Sequence, residues 1–142
     1  MDWSGTFDPT PWTCVADSIQ FLENLMPGGI TALMAHNQQL ALQGRDILAE
    51  QLGLPKPIQG EMIGSLATLP LPDESASTPD VDRSTMPTPT LKLQNALFEQ
   101  FQIEVPCFYF PEFPNRAVRI SAQAYNHPDQ YRRLASALQE LL

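Results

Sequence analysis

Few residues in this chain have the chemistry to hold or transform a ligand. Of 142 residues only eight are lysine or arginine, against sixteen aspartates and glutamates. One of the eight, Arg119, sits inside the run AVRISA at 117–122, which continues directly into QAYNHPDQY. The run reads as a strand turning into a helix. Successive side chains of a strand point to opposite faces, so Val118, Ile120 and Ala122 share one face and Arg119 and Ser121 the other. A core accounts for the apolar face. The guanidinium is either solvated, paired with a carboxylate of the chain, or aimed at an anion it was placed to hold. A planar guanidinium makes two parallel charge-assisted bonds to a carboxylate, and a strand is a rigid mount for such a clamp. Arg116, three residues earlier, falls on the opposite face and is expected in solvent.

The other reactive side chains promise less. A lysine that forms a Schiff base must be desolvated or flanked by charge. Lys56 lies in the turn-like LPKPIQG and Lys92 at the start of an amphipathic helix, so neither is so placed. Cys107, between Pro106 and Phe108, has no base or cation beside it in sequence and reads as a structural thiol. Cys14 and Cys107 have neither metal-ligand spacing nor a CxxC motif, which suits reduced thiols in a cytoplasmic protein. His36 and His127 have no cysteine or carboxylate pattern that would complete a metal cage, and both read as solvated. No nucleophile elbow, phosphate-cradling Walker loop or dinucleotide fingerprint occurs.

The elements that must position Arg119 follow from periodicity. Thr10 and Pro11 suggest a cap and first residue for a helix bearing Trp12, Val15, Ile19, Leu22 and Met26, stopped by Pro27-Gly28-Gly29. A longer helix is predicted over 30–52, with the stripe Ile30, Leu33, Met34, Leu40, Ala41, Ile47, Leu48 and Leu52 and with Gly53 at its end. A strand is expected over 62–71 and a helix over 91–101, through Leu93, Leu97, Phe98 and Phe101. Residues 103–110 favour a strand, which Pro106 marks as an edge or irregular one. Phe108, Tyr109, Phe110 and Phe113 read as a core aromatic cluster. The strand of Arg119 covers 115–122, and Asn126 caps a last helix that buries Tyr131, Leu134, Leu138 and Leu141. Such an order, without regular βαβ alternation, indicates an α+β fold: a small antiparallel sheet of about three strands packed against helices.

Composition sets further bounds. The length suits one domain with a real core. A net charge of −8 argues against nucleic acid, which asks for a basic patch. No apolar run approaches the ~20 residues that span a bilayer, and no secretory leader pattern opens the chain. Five of the fourteen prolines fall in the acidic stretch PLPDESASTPDVDRSTMPTP at 70–89, which reads as a flexible insertion within the domain.

Two stretches, WSGTFDPTPW at 3–12 and IEVPCFYFPEFPNRAVRISAQAYNHPDQYRRLASAL at 103–138, resemble the class V aminotransferase family of pyridoxal-phosphate enzymes, and within it the isopenicillin N epimerase-like and cysteine desulfurase-like proteins. The order also fits: a GT-x-D-P loop, two helices, a strand carrying MIGSLA, a helix, then IEVP and RISxxxYN. The resemblance covers nearly the whole chain except the 70–90 insertion, and its strength lies in the order of motifs that are individually weak.

That resemblance implies a C-terminal small domain, residues 1–142. The Schiff-base lysine and most cofactor contacts of the family come from an upstream large domain that these residues do not include. Carried over by motif, Gly5 and Thr6 of the GT loop would meet the cofactor phosphate of a second subunit, and Arg119 would grip the substrate α-carboxylate. The Pro, Phe and Tyr around Cys107 depart from the mobile cysteine loop of desulfurases. The implied partners are a large domain or complementary chain, or a second copy, together with an amino-acid substrate. The competing expectation is a non-catalytic interaction or regulatory module that kept the fold and lost the chemistry.

Overall fold

Arg119 lies on the central strand of a three-stranded antiparallel sheet of order β1-β3-β2. The computed structural model describes residues 8–72, 89–110 and 116–142. Gly5, Thr6, Trp3, Phe7, Phe113 and most of the proline-rich stretch lie outside them. The strands are β1, Leu66–Leu71; β2, Cys107–Tyr109; and β3, Arg116–Ser121. The helices are α1, Thr10–Thr13; α2, Val15–Asn24; α3, Gly29–Leu52; α4, Pro89–Phe101; and α5, Pro128–Leu141. This is the expected α+β architecture of a small antiparallel sheet with helices. Two compact units divide the chain, one ending at His36 and the other running from Asn37 to Leu142. The sheet, α4, α5 and the core all belong to the second.

The two faces of the sheet differ as the alternation of β3 predicts. Leu69 lies opposite Val118 and Ala67 opposite Ile120, and all four are buried. They join Leu40, Ala41 and Leu48 of α3, Leu93 and Leu97 of α4, and Leu134 and Leu138 of α5 in one core. Fully burying a side chain of this size stabilises by roughly 1.5–3 kcal/mol. On the other face Leu66 and Ser121 are exposed, while Thr68, Phe108 and Arg119 are half-buried.

Several expected boundaries move, each for a physical reason. β1 begins at Leu66 rather than Met62 because its partner strand ends there, Leu66 facing Ser121; Gly60–Met62 is a 3-10 turn. β2 keeps only three of its expected residues. Pro106 has no N–H to donate to a ladder, although its carbonyl accepts from the Arg119 N–H at 3.1 Å. Of the proline-rich stretch, Pro70 and Leu71 belong to β1 and Pro89 opens α4.

Of the α3 stripe, Leu33, Leu40, Ala41 and Leu48 are buried, but Met34 is 67% exposed at the rim of the face. Gly53 ends the helix as expected, at φ +65, and Leu54 N–H donates back to the Ala49 carbonyl at 2.8 Å in a Schellman ending. The first unit departs most. The single amphipathic helix expected from Thr10 onward is broken at Cys14 into α1 and α2, and neither buries a side chain. Thr10 is not the cap: Asp8 Oδ1 accepts from its N–H at 3.0 Å and from its hydroxyl at 2.7 Å.

Asn126 does not cap α5 either. His127 holds that position, its Nδ1 accepting from the Asp129 N–H at 3.4 Å while Gln130 Oε1 accepts from its own N–H at 3.0 Å. Asn126 instead closes the preceding turn, Oδ1 accepting from the Gln123 N–H at 2.9 Å.

Candidate functional site

The antiparallel register builds the surroundings of Arg119. On β1 it faces Thr68. On the β2 side its N–H meets the Pro106 carbonyl, and Phe108, two residues on and on the same face, is its diagonal neighbour. Directly opposite Phe108 stands Ala117, small and buried. The guanidinium carbon of Arg119 lies 5.0 Å from the Phe108 ring centroid, a cation–π distance. Arg119 Nε is buried and has no hydrogen-bond partner. Among the described residues the guanidinium has no ion pair either. A buried donor left unmade costs about 1–3 kcal/mol.

Arg119 opens onto a cleft of about 350 Å³, whose polar lining includes Gln102, Glu104, Tyr125, Gln130 and Arg133. Three features shape it. The chain leaves α4 through Gln102 at φ +56, a left-handed residue that turns residues 102–106 across the cleft. Arg133 of α5 donates to the Phe101 carbonyl at the end of α4. Tyr131 donates its hydroxyl to the Ser121 carbonyl at 2.8 Å, binding α5 to the end of β3. Behind β3, Gly44 lets α3 approach closely: a Cβ there would stand 2.8 Å from Ile120 Cδ1 and 2.8 Å from Tyr131 Cδ2.

The remaining candidates sit elsewhere. Arg116 is not simply in solvent; it is half-buried and its Nε donates to the Pro72 carbonyl. Lys56 is ion-paired with Asp46 at 3.0 Å, Lys92 is exposed, and neither lines the cleft. Burial pushes the Cys107 thiol up to about 11, against an opposing pull from Arg116, so it is not a thiolate at neutral pH. His36 and His127 are exposed. Among the described residues no group of three His, Cys, Asp or Glu could hold a metal ion, and no helix is long and apolar enough to cross a membrane.

Sequence reading missed Phe108 as a partner of Arg119, assigning it to the core, and passed over Gly44. A glycine in the middle of a helical apolar stripe was the available signal for the second. The first had none short of the strand register.

An α+β small domain that presents an arginine to an open cleft is the class of structure that fold and site define. No protein-family profile matches the chain. It is 32% identical over 143 residues to the isopenicillin N epimerase of Streptomyces clavuligerus, covering 99% of this chain and 31% of that protein. The same enzyme of Amycolatopsis lactamdurans is 30% identical over 143 residues, again with 99% and 31% covered. The protein of Arabidopsis thaliana named "Probable L-cysteine desulfhydrase, chloroplastic" is 29% identical over 146 residues, 99% of this chain and 29% of its own length. The chain is thus homologous to the C-terminal region of class V aminotransferase-like, pyridoxal-phosphate enzymes, as its motifs suggest, and spans about 30% of their length.

The cleft can be tested against the cofactor of those relatives. Its lining offers an unpartnered guanidinium edge, suited to a carboxylate, and among the described residues no lysine amine to bond the cofactor aldehyde. The residues fit the anion-holding end of such a site and do not fit the covalent anchor.

Proposed function

We propose that this chain is the carboxylate-binding part of a pyridoxal-phosphate-dependent, class V aminotransferase-like enzyme that acts on an amino acid. Arg119 grips the substrate α-carboxylate. Gly5 and Thr6 contribute a close backbone approach and a hydroxyl to the cofactor phosphate. The lysine that bonds the cofactor comes from a large domain or complementary chain, and alone this chain turns nothing over. The observation that supports the reading is the Arg119 guanidinium, facing the cleft with its Nε buried and unpartnered.

The test is a side-chain NMR titration of the chain with L-alanine and with pyruvate, using L-alaninamide as the control. The Arg119 Nε–Hε signal shifts saturably with both carboxylates and not with the amide. Arg119→Gln weakens binding by about 10-fold or more, since hydrogen bonds to charged groups contribute roughly 1.5–3 kcal/mol. A carboxylate response that survives Arg119→Gln would sink the assignment.

A second reading, a non-catalytic interaction module, is favoured by α1 and α2, where Trp12, Ile19 and Phe21 stand more than half exposed. It expects a chain that ignores carboxylates in the same titration.

A further inference from the structure

Each of the other arginines among the described residues is held by oxygen. Arg45 donates to Asp46 Oδ1 at 3.0 and 2.9 Å and to the Ile58 carbonyl at 3.1 Å. Arg132 is bonded to Asp129, Arg133 to the Phe101 carbonyl and Arg116 to the Pro72 carbonyl. Arg119 is held by a ring instead, 5.0 Å away. The two kinds of mount have different consequences. A carboxylate or carbonyl occupies the in-plane N–H donors, and a carboxylate also cancels the charge. An aromatic face attracts the cation through its quadrupole from above the guanidinium plane, leaving both the charge and the in-plane donors intact.

We propose that Phe108 is the positioning residue for Arg119, stacking the guanidinium so that its donor edge is already turned toward a carboxylate in the cleft; this rests on the carboxylate-binding reading given above. The mount is itself fixed. Phe108 lies in β2, paired through Ala117 to the central strand, and the neighbouring Cys107 N–H is held at 3.2 Å by Gln94 Oε1 of α4. Ala117, opposite Phe108 in the register and on the same face as Arg119, is small and buried. Pre-orienting a long, rotamer-rich side chain removes part of the ordering cost that a ligand otherwise meets on binding.

The experiment uses the full 142-residue chain. In the ligand-free wild type the Arg119 side-chain protons carry an upfield ring-current shift. Phe108→Leu abolishes that shift, and Phe108→Tyr, which restores a ring, keeps it. Titrated with L-alanine, the Leu variant binds about 3- to 10-fold more weakly and the Tyr variant within about 2-fold of wild type, the range that a cation–π contact corresponds to. A wild-type signal without a ring-current shift overturns the stacking outright and needs no variant to fold. An undiminished L-alanine affinity in Phe108→Leu overturns the positioning role while leaving the Arg119 clamp standing. A ring-shifted signal that ignores L-alanine removes the clamp, and with it the purpose assigned to the ring.

Discussion

Tyr131 and Ser121 are joined by a 2.8 Å hydrogen bond from the phenol hydroxyl to a backbone carbonyl, and this bond fastens α5 to β3 two residues beyond Arg119. Tyr131 is otherwise core, only 5% exposed, so its hydroxyl has little else to bond. The wall of the cleft is therefore held by one side chain that fills the core and reaches the sheet backbone.

Tyr131→Phe keeps the ring and removes that bond. It is expected to lower unfolding stability by about 0.5–1.5 kcal/mol, read from urea titrations. An unchanged midpoint would show that the bond contributes nothing net.

Stability should also fall at alkaline pH. Burial raises the Cys107 thiol from an ordinary 9.0 to about 11, opposed by Arg116, and burial likewise raises the Tyr131 phenol above its ordinary 10.0. In both groups the folded state favours the protonated form, while the unfolded chain releases its proton first. The Cys107 contribution is complete below pH 9 and is lost as the pH rises through about 11; that of Tyr131 is complete below 10 and is lost in the same direction above it. Thermal melts across that window should decline less steeply for Cys107→Ala than for wild type, and parallel slopes would refute the linkage.

Gly44→Ala sets two effects against each other. In an exposed helix the change stabilises by about 1 kcal/mol. Here the added Cβ would press on Ile120 Cδ1 at 2.8 Å and on the Tyr131 ring at 2.8 and 2.9 Å. The ring is tethered by its hydroxyl, and overpacking a core costs roughly 1–3 kcal/mol. The clash wins, and a net loss of about 1 kcal/mol is expected in the same urea titrations. A more stable variant would mean that α3 shifts freely over β3.

The two thiols should differ sharply toward iodoacetamide. Cys14 is exposed and Cys107 partly buried. With its thiol pushed up to about 11, Cys107 is only about one part in a thousand thiolate at pH 8. Mass spectrometry is expected to find Cys14 alkylated first and Cys107 modified only after urea unfolding. Equal rates in the native chain would contradict the burial.

Much of the fold was legible because helices and strands write their period into neighbouring residues. Most of the buried face of α3 and the two faces of β3 follow from spacing, and the end of α3 from Gly53. The same rule misled at the first unit. Trp12, Val15 and Ile19 have helical spacing, yet they are exposed on α1 and α2. Spacing shows that a stripe can be buried, not that anything covers it. The start of β1 is missed for a related reason: it falls where β3 supplies its last partner, Ser121 opposite Leu66, which no residue of β1 announces.

By itself the sequence determined the kinship of this chain, the α+β class, and the side of its strand on which Arg119 stands, because residue type, order and period are local properties of the chain. Tertiary structure alone decided what surrounds that arginine. Phe108 came beneath it through the pairing of β2 with β3, Gly44 brought α3 against Tyr131, and among the described residues no carboxylate forms an ion pair with the guanidinium. These contacts depend on strand register and packing summed over the whole core, and no short stretch of sequence contains that sum.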